Sequence, residues 1–172
     1  YSLVHDAEGL QSATKIILPG VGHFGQMMRA LHTLGVRGAL KERIEAKTPF
    51  LGICLGLHGL FERSAEADDA EGLGIFSGSV ERFPKDARVP HMGWNTVSTT
   101  GPSRLLEGIA PEPYVYFAHS YYVPVCAQTA GTTTYTRPYT SMLESGNVFG
   151  VQFHPEKSGP VGLSIVRNFV NL

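Results

Sequence analysis

The sequence predicts one α/β layered domain with a mostly parallel central sheet. Three observations carry that reading. The first third alternates short β-branched apolar runs with stretches of helical period; glycine-rich strands and turns follow from Leu73; an amphipathic helix closes the chain. At 172 residues the chain suits a single domain spanning 1–172.

The elements follow in order. Lys15 to Leu18 is a short apolar run stopped by Pro19-Gly20 and reads as a buried strand. Gly20, Gly22 and Gly25 lie in the loop after it. Met27, Leu31 and Leu34 recur at near-helical spacing, as do Val36, Leu40 and Ile44, and Gly35 between the sets predicts two short helices or one broken one. Pro49 to Ile53 reads as a second buried strand. Leu55, Leu57, Leu60 and Phe61 predict a helix after it, and the acidic stretch Ser64 to Ala70 a surface loop. Strands are then predicted around Gly74–Phe83, Trp94–Thr99, Tyr114–Val123, Thr132–Tyr135 and Val148–Phe153. Ser158 reads as the N-cap of the last helix, with Pro160 in its first turn and Ile165, Val166, Phe169 and Val170 as its apolar face.

Composition narrows the function. Hydrophobic residues make up 42% and charged residues 17%, which supports a core and excludes disorder. The net charge of -1 excludes the charge excess expected of a protein that binds nucleic acid or an anionic membrane. No apolar run reaches the about 18 residues of a membrane span. Cys54 and Cys126 form no C-x-x-C pair, which argues against a disulfide scaffold or a cysteine zinc site and fits a reducing, cytoplasmic setting.

Three segments carry chemistry. Gly52-Ile53-Cys54-Leu55-Gly56 lies where a buried strand is predicted to meet a helix, a pattern parallel to the G-x-S-x-G nucleophile elbow. Glycines let neighbouring chain pass close to such a turn, and the positive end of the helix dipole would favour thiolate. A lone cysteine in that pattern is more often a buried structural residue. Cys126, without glycines or a following helix, is read as structural. His154 ends an apolar strand and is followed by Pro155-Glu156, so Glu156 is placed to accept a hydrogen bond from the imidazole and fix its tautomer. Cysteine, histidine and carboxylate are the parts of a nucleophilic triad, and their joint presence, one hundred positions apart, weighs against coincidence. Finally, Pro19-Gly20-Val21-Gly22 offers backbone N–H groups for an oxyanion, with the Leu55 N–H as a second donor. A phosphate loop is the weaker reading, because no Lys-Ser/Thr follows.

Together these segments resemble the triad (class I) glutamine amidotransferases. Within that family P-G-V-G-H-F-G, G-I-C-L-G, P-H-M-G-W-N, Y-F-A-H-S-Y and Q-F-H-P-E-K-S look like the branch formed by glutaminase subunits of imidazole glycerol phosphate synthases. The likeness runs from about Ile16 to the C-terminus. It implies a three-layer, flavodoxin-like fold, with Cys54 as nucleophile, His154 as base and Glu156 as its partner. It implies a glutamine pocket bordered by Gly22, Leu55, Ser120 and Tyr121, and a contact near Trp94, Tyr116 and Lys157 with a cyclase subunit that receives the ammonia for histidine biosynthesis. No metal or organic cofactor is implied. Two features depart from the family pattern. His58 stands where the family has a substrate-holding Gln. The strand, glycine loop and helix with which members begin are not visible before Tyr1, so the expectation is a chain lacking that strand and helix. Another amidotransferase branch (anthranilate, guanylate or pyridoxal phosphate) and a catalytically weak partner-binding module of the same fold are the alternatives.

Overall fold

The computed structural model describes the whole chain, Tyr1–Leu172. A short helix not foreseen in the sequence, α1 (Ala7–Gln11), is capped by Asp6, which accepts the Gly9 N–H at 2.8 Å. Strand β1 (Ile16–Leu18) leads into α2 (Phe24–Thr33) and α3 (Val36–Glu45), split at Gly35, whose φ of 67° admits glycine without strain. The two-helix reading holds, with its first face rotated. Phe24, Met28 and Leu31 are buried, and Leu34 is exposed, because Phe24 in the first turn sets which side meets the core.

Strand β2 (Phe50–Ile53) is buried throughout and runs into α4 (Leu55–His58), a single turn. The helix expected to continue through Phe61 stops there. Backbone bonds from Leu73 to Gly59 and from Ile75 and Phe76 to Leu60 capture the carbonyls a longer helix would use. Phe61 instead opens β3 (Phe61–Ser64), which pairs in parallel with β4 (Phe76–Arg82). The acidic loop between them is only partly a surface loop, since Ser64 and Ala67 are buried.

The second half holds β5 (His91–Thr96), β6 (Ser98–Thr99), β7 (Tyr114–His119), β8 (Tyr121–Tyr122), β9 (Thr129–Thr134), β10 (Pro138–Ser145), β11 (Val148–Val151) and α5 (Gly159–Val170). The central sheet has six strands in the order β1-β2-β11-β10-β9-β6. It is mixed, not mostly parallel. Strands β1, β2 and β11 run parallel, and β10, β9 and β6 add antiparallel pairings. Strand β10, missed in the sequence, makes the difference: it returns from β9 and forms a hairpin with β11 through Gly146, at φ 58°.

Three layers result, as the resemblance implies. On one face Phe50, Leu57 and Val148 pack with Phe24, Met28, Leu40 and Ile44 of α2 and α3. On the other, Leu51, Phe149 and Val151 pack with Ile165 and Phe169 of α5 and with Val115 and Phe117 of β7. The alternation along β2 and β11 sends successive side chains to opposite faces. Val170, expected on the apolar face of α5, is exposed.

Backbone packs tightly against backbone where β1, β2 and α4 meet. A Cβ on Gly52 would lie 2.5 Å from the Gly56 carbonyl oxygen, and one on Gly56 would collide with the carbonyl of Leu18. Both obstacles are backbone and cannot rotate away. Gly56→Ala is therefore expected to destabilise the protein by about 2–3 kcal/mol or more, the scale of overpacking in a rigid site. Gly38→Ala, in α3 with open space around it, is expected to be neutral or stabilising by up to about 1 kcal/mol. Urea unfolding of the two variants checks both, and equal stabilities would contradict the packing.

Candidate active site

The crossing of β2 and α4 forces Cys54 into a backbone conformation that side chains rarely adopt, φ 52° and ψ −104°. The Cys54 N–H donates to the Val151 carbonyl at 2.7 Å, so the ladder between β2 and β11 anchors the strained residue. The side chain enters a cleft of about 220 Å³. Val21, Gly22, Leu55, His58, Ser120, Tyr121 and His154 border the same cleft, so the structure gathers these expected residues into one site. Gly20 contributes its carbonyl, which accepts the Leu55 N–H at 3.4 Å. The expected second oxyanion donor is thus weakly engaged, while the Val21 and Gly22 N–H groups make no backbone hydrogen bond.

His154 follows β11 and Phe153, and its own N–H donates to Tyr116. Its Nδ1 lies 2.8 Å from Glu156 Oε1, the pairing read from the spacing. Nδ1–H therefore donates to the carboxylate, and Nε2 keeps its lone pair for a proton. Glu156 stands behind the ring and is more than half exposed. Ser158, expected as a helix cap, makes no side-chain cap bond. Its hydroxyl donates to the His154 carbonyl at 2.7 Å and accepts the Tyr116 N–H at 3.0 Å, locking the His154 segment to β7.

Electrostatics overturn one expectation. The turn α4 is only four residues long, too short for a substantial dipole. Burial dominates instead and pushes the Cys54 thiol up to about 12, with Glu156 and Glu66 adding to the rise and the Leu55 N–H and Gln152 opposing it. The resting group is a thiol. His58, His91 and His119 are also buried, and burial pushes His58 and His91 down to about 4 and His119 well below its ordinary value.

Four cleft-side groups escaped the sequence reading. Glu66 borders the cleft, and its Oε2 accepts the Phe24 N–H at 2.8 Å. Nothing marked it among the acidic residues around it. Gln152 is fully buried and donates to Cys54 Sγ at 3.6 Å. Its position two residues before His154 was the available signal. His119 borders the cleft, with Nε2 3.2 Å from both His91 Nδ1 and the Tyr139 hydroxyl. Pro90 lies beside it.

Trp94, Tyr116 and Lys157 come together on the outer face of the β5–β7 ribbon. Trp94 pairs with Tyr116 across it, their rings 6.1 Å apart, and Lys157 Nζ sits 5.8 Å from the Tyr116 ring. Met92 and Tyr114 extend this face, 64% and 55% exposed.

A buried, strained cysteine, a carboxylate-oriented histidine and a glycine loop border one cleft, the parts that thiol-dependent acyl transfer requires. Residues 4–172 match the family model of the class-I glutamine amidotransferases, and the chain belongs to that family. Among curated proteins it is 45% identical to "Imidazole glycerol phosphate synthase subunit HisH" of Methanocaldococcus jannaschii, over 99% of this chain and 86% of that protein. It is 48% identical to the protein of the same name from Desulfitobacterium hafniense, over 93% of this chain and 77% of that one. Among solved structures, a glutamine amidotransferase crystal structure superposes with a TM-score of 0.74 over 98% of this chain and 83% of that one, at 19% identity, a likeness of fold. No helix is long and apolar enough to cross a membrane.

The buried histidines tie stability to pH. An unfolded His binds a proton near pH 6.5. Folded His58 and His91 do so only near pH 4. Between those values the unfolded chain holds more protons, so stability is full above pH 6.5 and falls as pH drops toward 4. His58 alone accounts for about 3 kcal/mol over that window. Urea midpoints at pH 7.5, 6 and 5 should fall in that order, and a flat profile would contradict the buried neutral histidines.

Proposed function

We propose that this chain is the glutaminase subunit of an imidazole glycerol phosphate synthase. It hydrolyses glutamine and passes the ammonia to a cyclase subunit that makes imidazole glycerol phosphate and AICAR in histidine biosynthesis. The observation that carries the chemistry is Cys54, held at φ 52° with His154 on the same cleft and Glu156 fixing the imidazole. With two free thiols, the reading places the enzyme in the cytoplasm.

Each step uses a group already placed. Because Cys54 rests as a thiol, its proton leaves as the sulfur attacks the glutamine side-chain carbonyl carbon, and His154 Nε2 takes that proton. The carbonyl electrons move onto oxygen. The N–H groups of Val21, Gly22 and Leu55 are the donors at hand for this oxyanion, which as a charged acceptor outcompetes the neutral Gly20 carbonyl for Leu55. Collapse breaks the C–N bond, His154 returns the proton to the departing nitrogen, and ammonia leaves a glutamyl thioester. Water, deprotonated by His154, then releases glutamate and restores the thiol. Glu66 is the one carboxylate bordering the cleft and suits the substrate's α-ammonium, with Ser120 and Tyr121 beside it. His58 takes the place of the family's Gln as a hydrogen-bonding wall of the pocket.

The Met92, Trp94, Tyr114, Tyr116 and Lys157 face is the surface assigned to the cyclase. Aromatic residues with a basic neighbour are typical anchors of interfaces. The same ribbon bonds His154 through Tyr116, so partner contact and base are separated by one hydrogen bond.

Cys54→Ala is expected to abolish glutamine hydrolysis in the presence of the cyclase. Cys126→Ala, outside the cleft, should retain most of it. Full activity in the Cys54 variant would end the triad reading. Trp94→Ala should weaken cyclase binding by about 2 kcal/mol or more, roughly thirtyfold in Kd by titration calorimetry. Unchanged affinity would remove this face from the interface.

A further inference from the structure

We propose that His58 is a positioning residue, acting through Gln152 to keep an N–H donor on the Cys54 sulfur. The inference rests on Cys54 being the nucleophile. His58 Nε2 lies 2.7 Å from Gln152 Oε1, and Gln152 Nε2 donates to Cys54 Sγ at 3.6 Å. All three residues are buried, and Gln152 is wholly enclosed, so its amide has no bulk water as an alternative partner.

The proton positions follow from the chemistry of the groups. Gln152 Oε1 only accepts, so His58 must present Nε2–H to it. That leaves Nδ1 as the lone-pair nitrogen, and Nδ1 has no partner. A histidine in this tautomer discriminates between the two ends of an amide, holding the carbonyl end and rejecting the NH2 end. Gln152 is thereby held with its NH2 toward the sulfur. Flipped by half a turn, it would aim its oxygen at a sulfur that becomes negative during attack. A hydrogen bond to the charged form favours that form. The chain His58–Gln152–Cys54 thus supplies a donor to the developing thiolate, and it links the residue that departs from the family pattern to the nucleophile itself.

The test is the alkylation rate of Cys54 by iodoacetamide at fixed pH, without glutamine, so that loss of a substrate contact does not enter. It is measured on the full-length protein in its complex with the cyclase, and the adduct is read by mass spectrometry on the Cys54 peptide. Gln152→Leu should slow alkylation about tenfold, one pH unit of thiol acidity. His58→Leu should slow it to a similar degree, and the double variant no further, since both act on one chain. His58→Gln, which can offer an N–H to Oε1 but also an oxygen to a flipped amide, should recover part of the rate. In the wild type, nitrogen NMR of His58 should show the proton on Nε2. Additive losses, or a His58→Leu rate equal to wild type, would overturn the proposal. Should His58→Leu fail to fold, the His58→Gln rate and the observed tautomer decide: a proton on Nδ1 rules it out. A parallel glutaminase assay of Cys54→Ala keeps the outcomes apart, because activity there would remove the nucleophile, whereas the alkylation rates report on the chain.

Discussion

The site depends on one backbone crossing. The end of β1, the end of β2 and the single turn α4 pass so close that Gly52 and Gly56 leave no room for a Cβ, with backbone carbonyls as the obstacles. A chain that turns this tightly has to place the intervening residue outside the ordinary helical and extended regions, and Cys54 takes that strain. What holds it there is the surrounding ladder: β2 lies between β1 and β11, and the Cys54 N–H extends its pairing with β11. The same pairing carries His154 to the cleft, since β11 runs parallel to β2 and both end on the same side. Cys54 and His154 therefore border one cleft because their strands are neighbours, though they lie one hundred positions apart in the chain.

Burial sets the chemistry of this arrangement more than local charge does. Desolvation outweighs the donors around Cys54 and keeps it a thiol, and it keeps His58, His91 and His119 neutral. A thiol so placed needs a proton acceptor as it attacks. The aromatic face outside and the His154 segment inside share β7, joined by the hydrogen bonds of Tyr116 to Ser158 and His154.

Much of this was legible in the sequence, for identifiable reasons. The elbow glycines, His154 with Glu156, and the strands β1, β2 and β11 follow from local sterics and from apolar runs long enough to show. Errors arose where tertiary pairing overrode local pattern. Leu55 to Phe61 reads as one helix, yet the carbonyls of Gly59 and Leu60 bond to a segment over ten residues away, and Phe61 becomes strand. Strand β10 hid behind Pro138 and the polar Thr140-Ser141 pair, which is buried in a strand flanked by β9 and β11. Its absence from the reading turned a mixed sheet into a mostly parallel one. Glu66 reaches the cleft by where the fold brings it, which no spacing encodes, whereas Gln152 left only its place two residues before His154 as a signal.

The central claim is that the strained Cys54, served by His154, is the residue that takes the glutamyl group. A glutamine analogue carrying an electrophilic carbon in place of the amide tests it most directly. Inactivation of the full-length enzyme in its cyclase complex should track one covalent adduct on the peptide carrying Cys54. Excess glutamine should slow that adduct, and His154→Ala should suppress it. Complete inactivation with the label elsewhere, or full labelling of Cys54 with glutamine hydrolysis intact, would contradict it.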